Sequence, residues 1–301
     1  MRIVLGVDGS TAARVACDFV AGRSWPTGTR IRIVAALEPR VDWTGLVPGG
    51  NGGSEEERRL LEEVLDVRAD CLRERAYAVE PVLEIGRPAE LLIAHADQWF
   101  ADLIVVGSRG LGAAASALLG SVSAHLVDHA PCPVLVARSP EATRMVLAAD
   151  GTESSMGIPR ILGSWGAAFR GLPVEVLSVS AHEERPTPWG PAGEGSEEET
   201  TDLELHRGIA EQVADEMIEL GWSAAALVRA GDPGREIVAT GREWGADLIV
   251  TGSRGLGTLR RFVLGSVAHD VLLHARSSVL VMRGHVVAPI SEAARAAIPS
   301  V

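Results

Sequence analysis

The stretch "ADLIVVGSRGLGAAASALLGS", Ala101 to Ser121, reads as a buried strand that runs into a glycine-rich turn and then into a helix start. It recurs as "ADLIVTGSRGLGTLRRFVLGS", Ala246 to Ser266. Extending the comparison to Ala101–Arg138 against Ala246–Arg283 gives 21 identities over 38 positions without a gap, which marks an internal duplication. Upstream, "RIVLGVDGS" matches "RMVLAADGT", "RIRIVAALE" matches "PVEVLSVSA", and "GRPAELLIAHADQWF" matches "GDPGREIVATGREWG" in the same order. The halves are placed at residues 1–140 and 143–284. Residues 285–301 match nothing in the first half and are expected to be a loosely ordered tail.

Each half alternates short apolar runs with amphipathic stretches. In the first, Ile3 to Val7, Ile31 to Leu37, Val79 to Ile85, Leu103 to Val106 and Val134 to Ala137 are rich in Val, Ile and Leu without strict alternation. Such runs suit strands buried on both faces of a parallel sheet. The segments Thr11 to Arg23, Glu55 to Ala76, Pro88 to Phe100 and Leu118 to His129 suit the helices between them. Strand and helix in alternation imply a doubly wound α/β sheet with right-handed crossovers. "SEEER" and "SEEETTDLE" read as helix starts, with a serine cap and carboxylates at the positive end of the dipole. Pro39 to Ser54 and Glu183 to Ser196 read as long loops after the second strands, carrying Trp43 and Trp189.

Composition removes several function classes. The 301 residues are 47% hydrophobic, ample for two cores, and carry a formal net charge of -12. That charge repels nucleic acid and anionic membrane surfaces, so an anionic ligand has to be held locally. All 28 basic residues are arginine; without lysine there is no P-loop lysine and no Schiff-base chemistry. Cys17, Cys71 and Cys132 form no CxxC pair and suit a reducing cytosol. No apolar run approaches the roughly 18 residues of a membrane helix, and "MRIVLGVD" enters a strand without a signal-peptide pattern. A cytoplasmic protein is the expectation.

The glycines stand where an open parallel sheet binds ligands, beyond the carboxyl ends of its strands. Glycines there are expected to take positive φ and bring main-chain N–H groups near an anion, and the helix start behind them adds a dipole. A phosphate group is the implied ligand. Ser121 and Ser266 stand where the fourth helix begins, each either donating to a phosphate oxygen or capping the helix. The dinucleotide fingerprint GxGxxG/A fits "GLGAAA" but fails in "GLGTLR", and no acid ends the following strand.

The spacing kept in both copies is Gly-x2-Gly-x9-Gly-Ser: Gly107, Gly110, Gly120, Ser121 and Gly252, Gly255, Gly265, Ser266. With "DLIVVGSRG" before it and "CPVLV" after it, the chain resembles a tandem universal stress protein almost end to end. The resemblance implies two Rossmann-like domains, each a five-stranded parallel sheet of order 3-2-1-4-5 with helices on both faces. It implies an adenine nucleotide, ATP or its ADP or AMP forms, with Mg2+. It carries over Asp8 and Asp150 after the first strands, and Ala36 and Val179 on the second strands flanking adenine. It also carries over the turns at Gly86 ("GRP") and Gly231 ("GDP"). In the family the last strands pair across a domain dimer; here "PVLVAR" and "SVLVMR" can pair within one chain, and a homodimer of the whole chain is compatible with the resemblance.

The copies differ near the phosphates. The first has Arg109, with Ser123 where the second has Ala268; the second has Arg254, Arg260 and Arg261. Charge-assisted bonds from arginine favour a tighter second site, unless Arg260 and Arg261 face solvent, and Asp232 either repels a phosphate or helps hold Mg2+. His129 and His274 read as complements to a helix C-terminus; His95, His125, His182, His206, His269 and His285 are given no chemistry. Trp99 and Trp244 are read as not stacked among basic residues, so no nucleic-acid platform is expected. With no positioned base or nucleophile, hydrolysis is expected to be slow or absent. Three readings follow: a protein that binds ATP and changes shape or partners, a nucleotide-independent interaction or chaperone-like protein, and a slow ATPase.

Overall fold

A computed structural model describes residues 1–38, 55–110, 119–181, 197–253 and 264–283. In the first half the elements are β1 (Arg2–Gly6), α1 (Thr11–Ala21), β2 (Arg30–Leu37), α2 (Glu55–Arg73), β3 (Ala78–Ile85), α3 (Pro88–Gln98), β4 (Leu103–Gly107), α4 (Ser121–His129) and β5 (Val134–Ala137). The second half repeats the series as β6 (Met145–Ala148), α5 (Glu153–Met156), α6 (Ile158–Ser164), β7 (Pro173–Ser180), α7 (Glu197–Glu219), β8 (Ser223–Ala230), α8 (Pro233–Trp244), β9 (Leu248–Gly252), α9 (Ser266–His274) and β10 (Ser278–Met282). The counterpart of α1 is split in two at Gly157, which serves as both the end of α5 and the cap of α6, with Pro159 at the start of the new helix.

The ten strands form one sheet in the order β3-β2-β1-β4-β5-β10-β9-β6-β7-β8. Each half has the order 3-2-1-4-5 and is parallel throughout. The halves meet by antiparallel pairing of β5 with β10, Leu135 opposite Leu280 and Val136 opposite Val279. Without that pairing both strands would be bare apolar edges, which invite aggregation.

The edges are instead β3 and β8, and here the expectation of strands buried on both faces fails for the third strand of each half. Most β3 residues are half-buried or exposed, as are those of β8, because an edge strand lies beyond part of the helical cover. Pro81 and Glu80 in β3 suit an edge.

The expectation of two cores also takes a different form. Buried residues separate by face of the shared sheet rather than by half. Ile3, Leu5, Leu103, Val105 and Leu135 join Met145, Leu147, Val250 and Leu280 in one cluster. Val4, Ile104, Val106, Val134 and Val136 join Val146, Ile249, Val279 and Val281 in the other. Successive strand residues point to opposite faces, so each strand feeds both. On the first face four aromatic rings meet across the seam: Phe19 lies 6.3 Å from Phe169, and Trp25 lies 6.4 Å from Trp165 and 5.8 Å, edge-on, from Phe169.

The helices form for local reasons. Ser10 caps α1 by accepting from the Ala13 amide. In α2 Glu55, Glu56 and Glu57 occupy the first turn, and Leu61, Leu65, Ala69 and Leu72 make the buried stripe. Asp232 caps α8, accepting from the Arg235 amide at 2.9 Å. Among the described residues no helix is long and apolar enough to cross a membrane.

Candidate functional site

The carboxyl ends of β1, β2 and β4 open on a cavity of about 980 Å3, within the range of small-molecule sites. Its lining is mixed: Val34, Ala36, Leu61, Val64 and Leu92 are apolar, while Asp8, Glu57, Arg109, Ser121 and Ser123 are polar, with Gly110 and Gly120 exposing backbone.

Topology brings the polar group together. Asp8 follows β1, and its Oδ1 accepts from the Ser10 amide at 3.0 Å, which orients the carboxylate at the start of α1. β4 ends at Gly107, and the Gly120 amide donates to the Ser108 carbonyl at 2.7 Å, laying the start of α4 beside the end of that strand. Gly120 is the N-cap of α4 and offers no side chain; Ser121 is therefore the first helical residue, exposed, and is not the cap. The first N–H groups of a helix lack intrahelical partners and carry the positive end of its dipole, so this turn is a ready cradle for an anion.

The motif glycines do not use positive φ, contrary to expectation: Gly107, Gly110 and Gly120 all lie outside that region. They are needed for close approach. A Cβ on Gly107 would fall 2.4 Å from the Ala12 backbone carbon, so this glycine admits α1 onto the end of β4. A Cβ on Gly110 would fall 2.7 Å from Asp8 Oδ2, so that glycine lets the loop close on the carboxylate. Ser123 is buried and donates its hydroxyl to the Gly107 carbonyl at 2.9 Å, tying α4 to β4. Ala36 lines the cavity. Gly86 stands after β3, and Pro88 of the same turn reaches the cavity.

The second half repeats part of this arrangement. Gly252 ends β9, the Gly265 amide donates to the Ser253 carbonyl at 2.8 Å, Gly265 caps α9 and Ser266 is its first residue. Asp150 follows β6 and accepts from the Thr152 amide and hydroxyl. Val179 is buried in β7, and Gly231, at φ 140°, precedes α8. The Asp232 carboxylate caps α8 through Oδ1. Arg254, Gly255, Arg260 and Arg261 lie outside the described residues, as do both long loops and the tail.

The contact between β7 and α7 departs from its counterpart in the first half. The Tyr77 amide bonds to the Leu72 carbonyl and the Trp222 amide to the Met217 carbonyl, a shared register that sets Asp202 and His206 where the first half has Glu57 and Leu61. The strand register likewise sets Ser178 and Ser180 where it has Ala35 and Leu37. Ser178 donates to the Ala149 carbonyl at 2.8 Å and meets His206 Nδ1 at 2.8 Å; Ser180 donates to Asp202. With its one proton committed to a carbonyl, Ser178 accepts from Nδ1. Sequence reasoning gave His206 no role; its signal was the replacement of an apolar pair by a polar pair at matched positions of the repeat.

The expectation that Trp99 is not stacked among basic residues fails in the fold. The Arg32 guanidinium lies 4.5 Å from the Trp99 ring centroid, with Arg30 at 5.7 Å and Arg2 at 6.0 Å. Arg32 also pairs with Glu80 at 2.9 Å.

Comparison with known proteins places both halves. The universal stress protein family profile matches residues 1–138 and again 142–283. A universal stress protein of Mycobacterium tuberculosis (strain ATCC 25618 / H37Rv) is 27% identical over 300 residues, covering 93% of this chain and 96% of that protein. One of Thermus aquaticus is 39% identical over 137 residues, covering 45% of this chain and 97% of its own length. Among solved structures, a universal stress protein from Archaeoglobus fulgidus DSM 4304 superposes with a TM-score of 0.63 at 19% identity, covering 94% of this chain and 98% of that one.

Proposed function

The chain belongs to the universal stress protein family, and from that premise we propose that it binds an adenine nucleotide, ATP in the first instance, in the cavity of its first half. The observation that carries this reading is the meeting of Asp8, Gly110 and the start of α4, which has no side-chain cap, in a cavity also lined by apolar side chains. The apolar lining suits a base, the carboxylate suits ribose hydroxyls, and the α4 amides with Arg109 suit phosphates. Among the described residues no three metal-ligating side chains converge; Mg2+ would arrive on the nucleotide's own phosphates, as that ion commonly does. Occupancy of the site would act by changing shape or partners in the cytoplasm. Hydrolysis would be slow, because among the described residues the site offers Asp8, held by the Ser10 amide, and no activated nucleophile.

A nucleotide-independent reading draws support from Gly107, whose absence of side chain is accounted for by Ala12 alone. Calorimetric titration of the nucleotide-stripped protein with ATP and Mg2+, on the native chain and on Gly110→Ala, separates the two. Binding in the native chain that falls about 10-fold or more in the variant is the expected result; no heat at millimolar ATP would transfer the function to the interaction reading.

A further inference from the structure

α4 carries two histidines four residues apart, His125 and His129, which lie on the same face of the helix. Their rings stack with centroids 4.3 Å apart and planes 19° apart, and both residues are exposed. The His129 Nδ1 lies 3.0 Å from the His125 carbonyl oxygen. A carbonyl oxygen only accepts, so Nδ1 carries the proton and the lone pair of the neutral ring is on Nε2. A histidine that ligates a metal is held in this way, its other nitrogen donating to a backbone carbonyl or a carboxylate.

We propose that His125 and His129 form a surface site for a late first-row divalent cation, Cu2+ most tightly, separate from the nucleotide cavity. Two imidazole donors favour these ions, and affinity rises along the series to copper. No third side chain joins them among the described residues, so water completes the coordination. The His125 ring, exposed and free to rotate about its terminal torsion, turns to bring its nitrogen onto the ion while His129 stays on its carbonyl. The pair sits in the final two turns of α4, where the negative end of the helix dipole favours a cation, on a chain with a net charge of -12.

The second copy supplies an internal contrast. His274 makes the same bond to the Asp270 carbonyl, at 2.9 Å, but Asp270 stands where the first copy has His125. Its side chain lies against Gly234 of α8, so close that a Cβ there would fall 2.7 Å from the Asp270 Cβ. One ion per chain is therefore expected.

The test is titration of the full chain, free of any affinity tag, with Cu2+ alone in a non-coordinating buffer, read by calorimetry and by electron paramagnetic resonance. The expected result is one Cu2+ per chain with two nitrogen donors. His125→Ala and His129→Ala should each weaken it about 10-fold or more, and His269→Ala should leave it unchanged. Thermal melts of the metal-free variants confirm that they fold. Stoichiometric binding that survives both His125→Ala and His129→Ala, a single-nitrogen spectrum, or no binding below about 0.1 mM would overturn the proposal.

Discussion

Arg138, the residue after β5, donates through one guanidinium nitrogen to the Leu272 carbonyl at 2.6 Å and through the other to the Ser277 carbonyl at 3.1 Å, so the first half holds the last turn of α9 in the second. Burial lowers the Arg138 pKa to about 10, with Arg109 adding like charge; the group is still charged at neutral pH. Bonds from a charged donor contribute about 1.5–3 kcal/mol each. Arg138→Ala is expected to destabilise the chain by about 2–4 kcal/mol in urea melts. Arg138→Lys should recover less than half of that, because a single ammonium cannot span both carbonyls.

The aromatic seam makes a second prediction. Phe169 is buried and touches Phe19, Trp25 and Trp165. Phe169→Ala should cost about 3–5 kcal/mol and shift tryptophan emission to the red. An unchanged spectrum with normal stability would show that the aromatic seam adds little to the cohesion of the halves.

Gly107 and Gly110 should respond differently to alanine. A methyl at Gly107 meets fixed backbone of α1, whereas one at Gly110 meets a carboxylate that can rotate. Gly107→Ala is expected to lower stability by about 3 kcal/mol or more with or without ligand. Gly110→Ala should change stability by less than about 1 kcal/mol while weakening ATP binding. Denaturant titration beside calorimetry distinguishes the two.

The thiols give a pH-dependent prediction. Burial pushes Cys17 up to about 12 and Cys132 higher still, while Cys71 is half-buried. The reactive species is the thiolate. With a thiol reagent at pH 8 the native chain should show one fast group, Cys71, and two that react only on unfolding. Between about pH 9 and pH 12 the unfolded chain releases these protons while the folded chain keeps them, so both thiols make stability fall as pH rises.

Ala76 holds φ 62° after α2, where the second half has Gly221 at φ 93°. The left-handed conformation costs a non-glycine residue about 1–2 kcal/mol, partly offset by glycine's greater freedom when unfolded. Ala76→Gly should stabilise the chain by up to about 1 kcal/mol in thermal or urea melts; a loss would show that the Ala76 methyl makes contacts worth more than the strain.

Much of this molecule was written locally. Apolar runs, amphipathic stretches and the repeated Gly-x2-Gly-x9-Gly-Ser are read from neighbours in sequence, since strand burial and helix periodicity depend on residues a few positions apart. They determined the alternating α/β architecture, the two copies, and the place of the glycine motif between the fourth strand and the fourth helix of the first half. The purpose of each glycine was not legible: Gly107 answers to Ala12, 95 positions away, and Gly110 to Asp8. Nor was the arginine sheath on Trp99 legible, because Arg2, Arg30 and Arg32 reach it only when β1 and β2 lie side by side. The cores by face, the seam of Phe19, Trp25, Trp165 and Phe169, and the reach of Arg138 to α9 were decided by tertiary structure. Each is a contact between groups far apart in the chain, whose geometry exists only after the two halves have paired along β5 and β10.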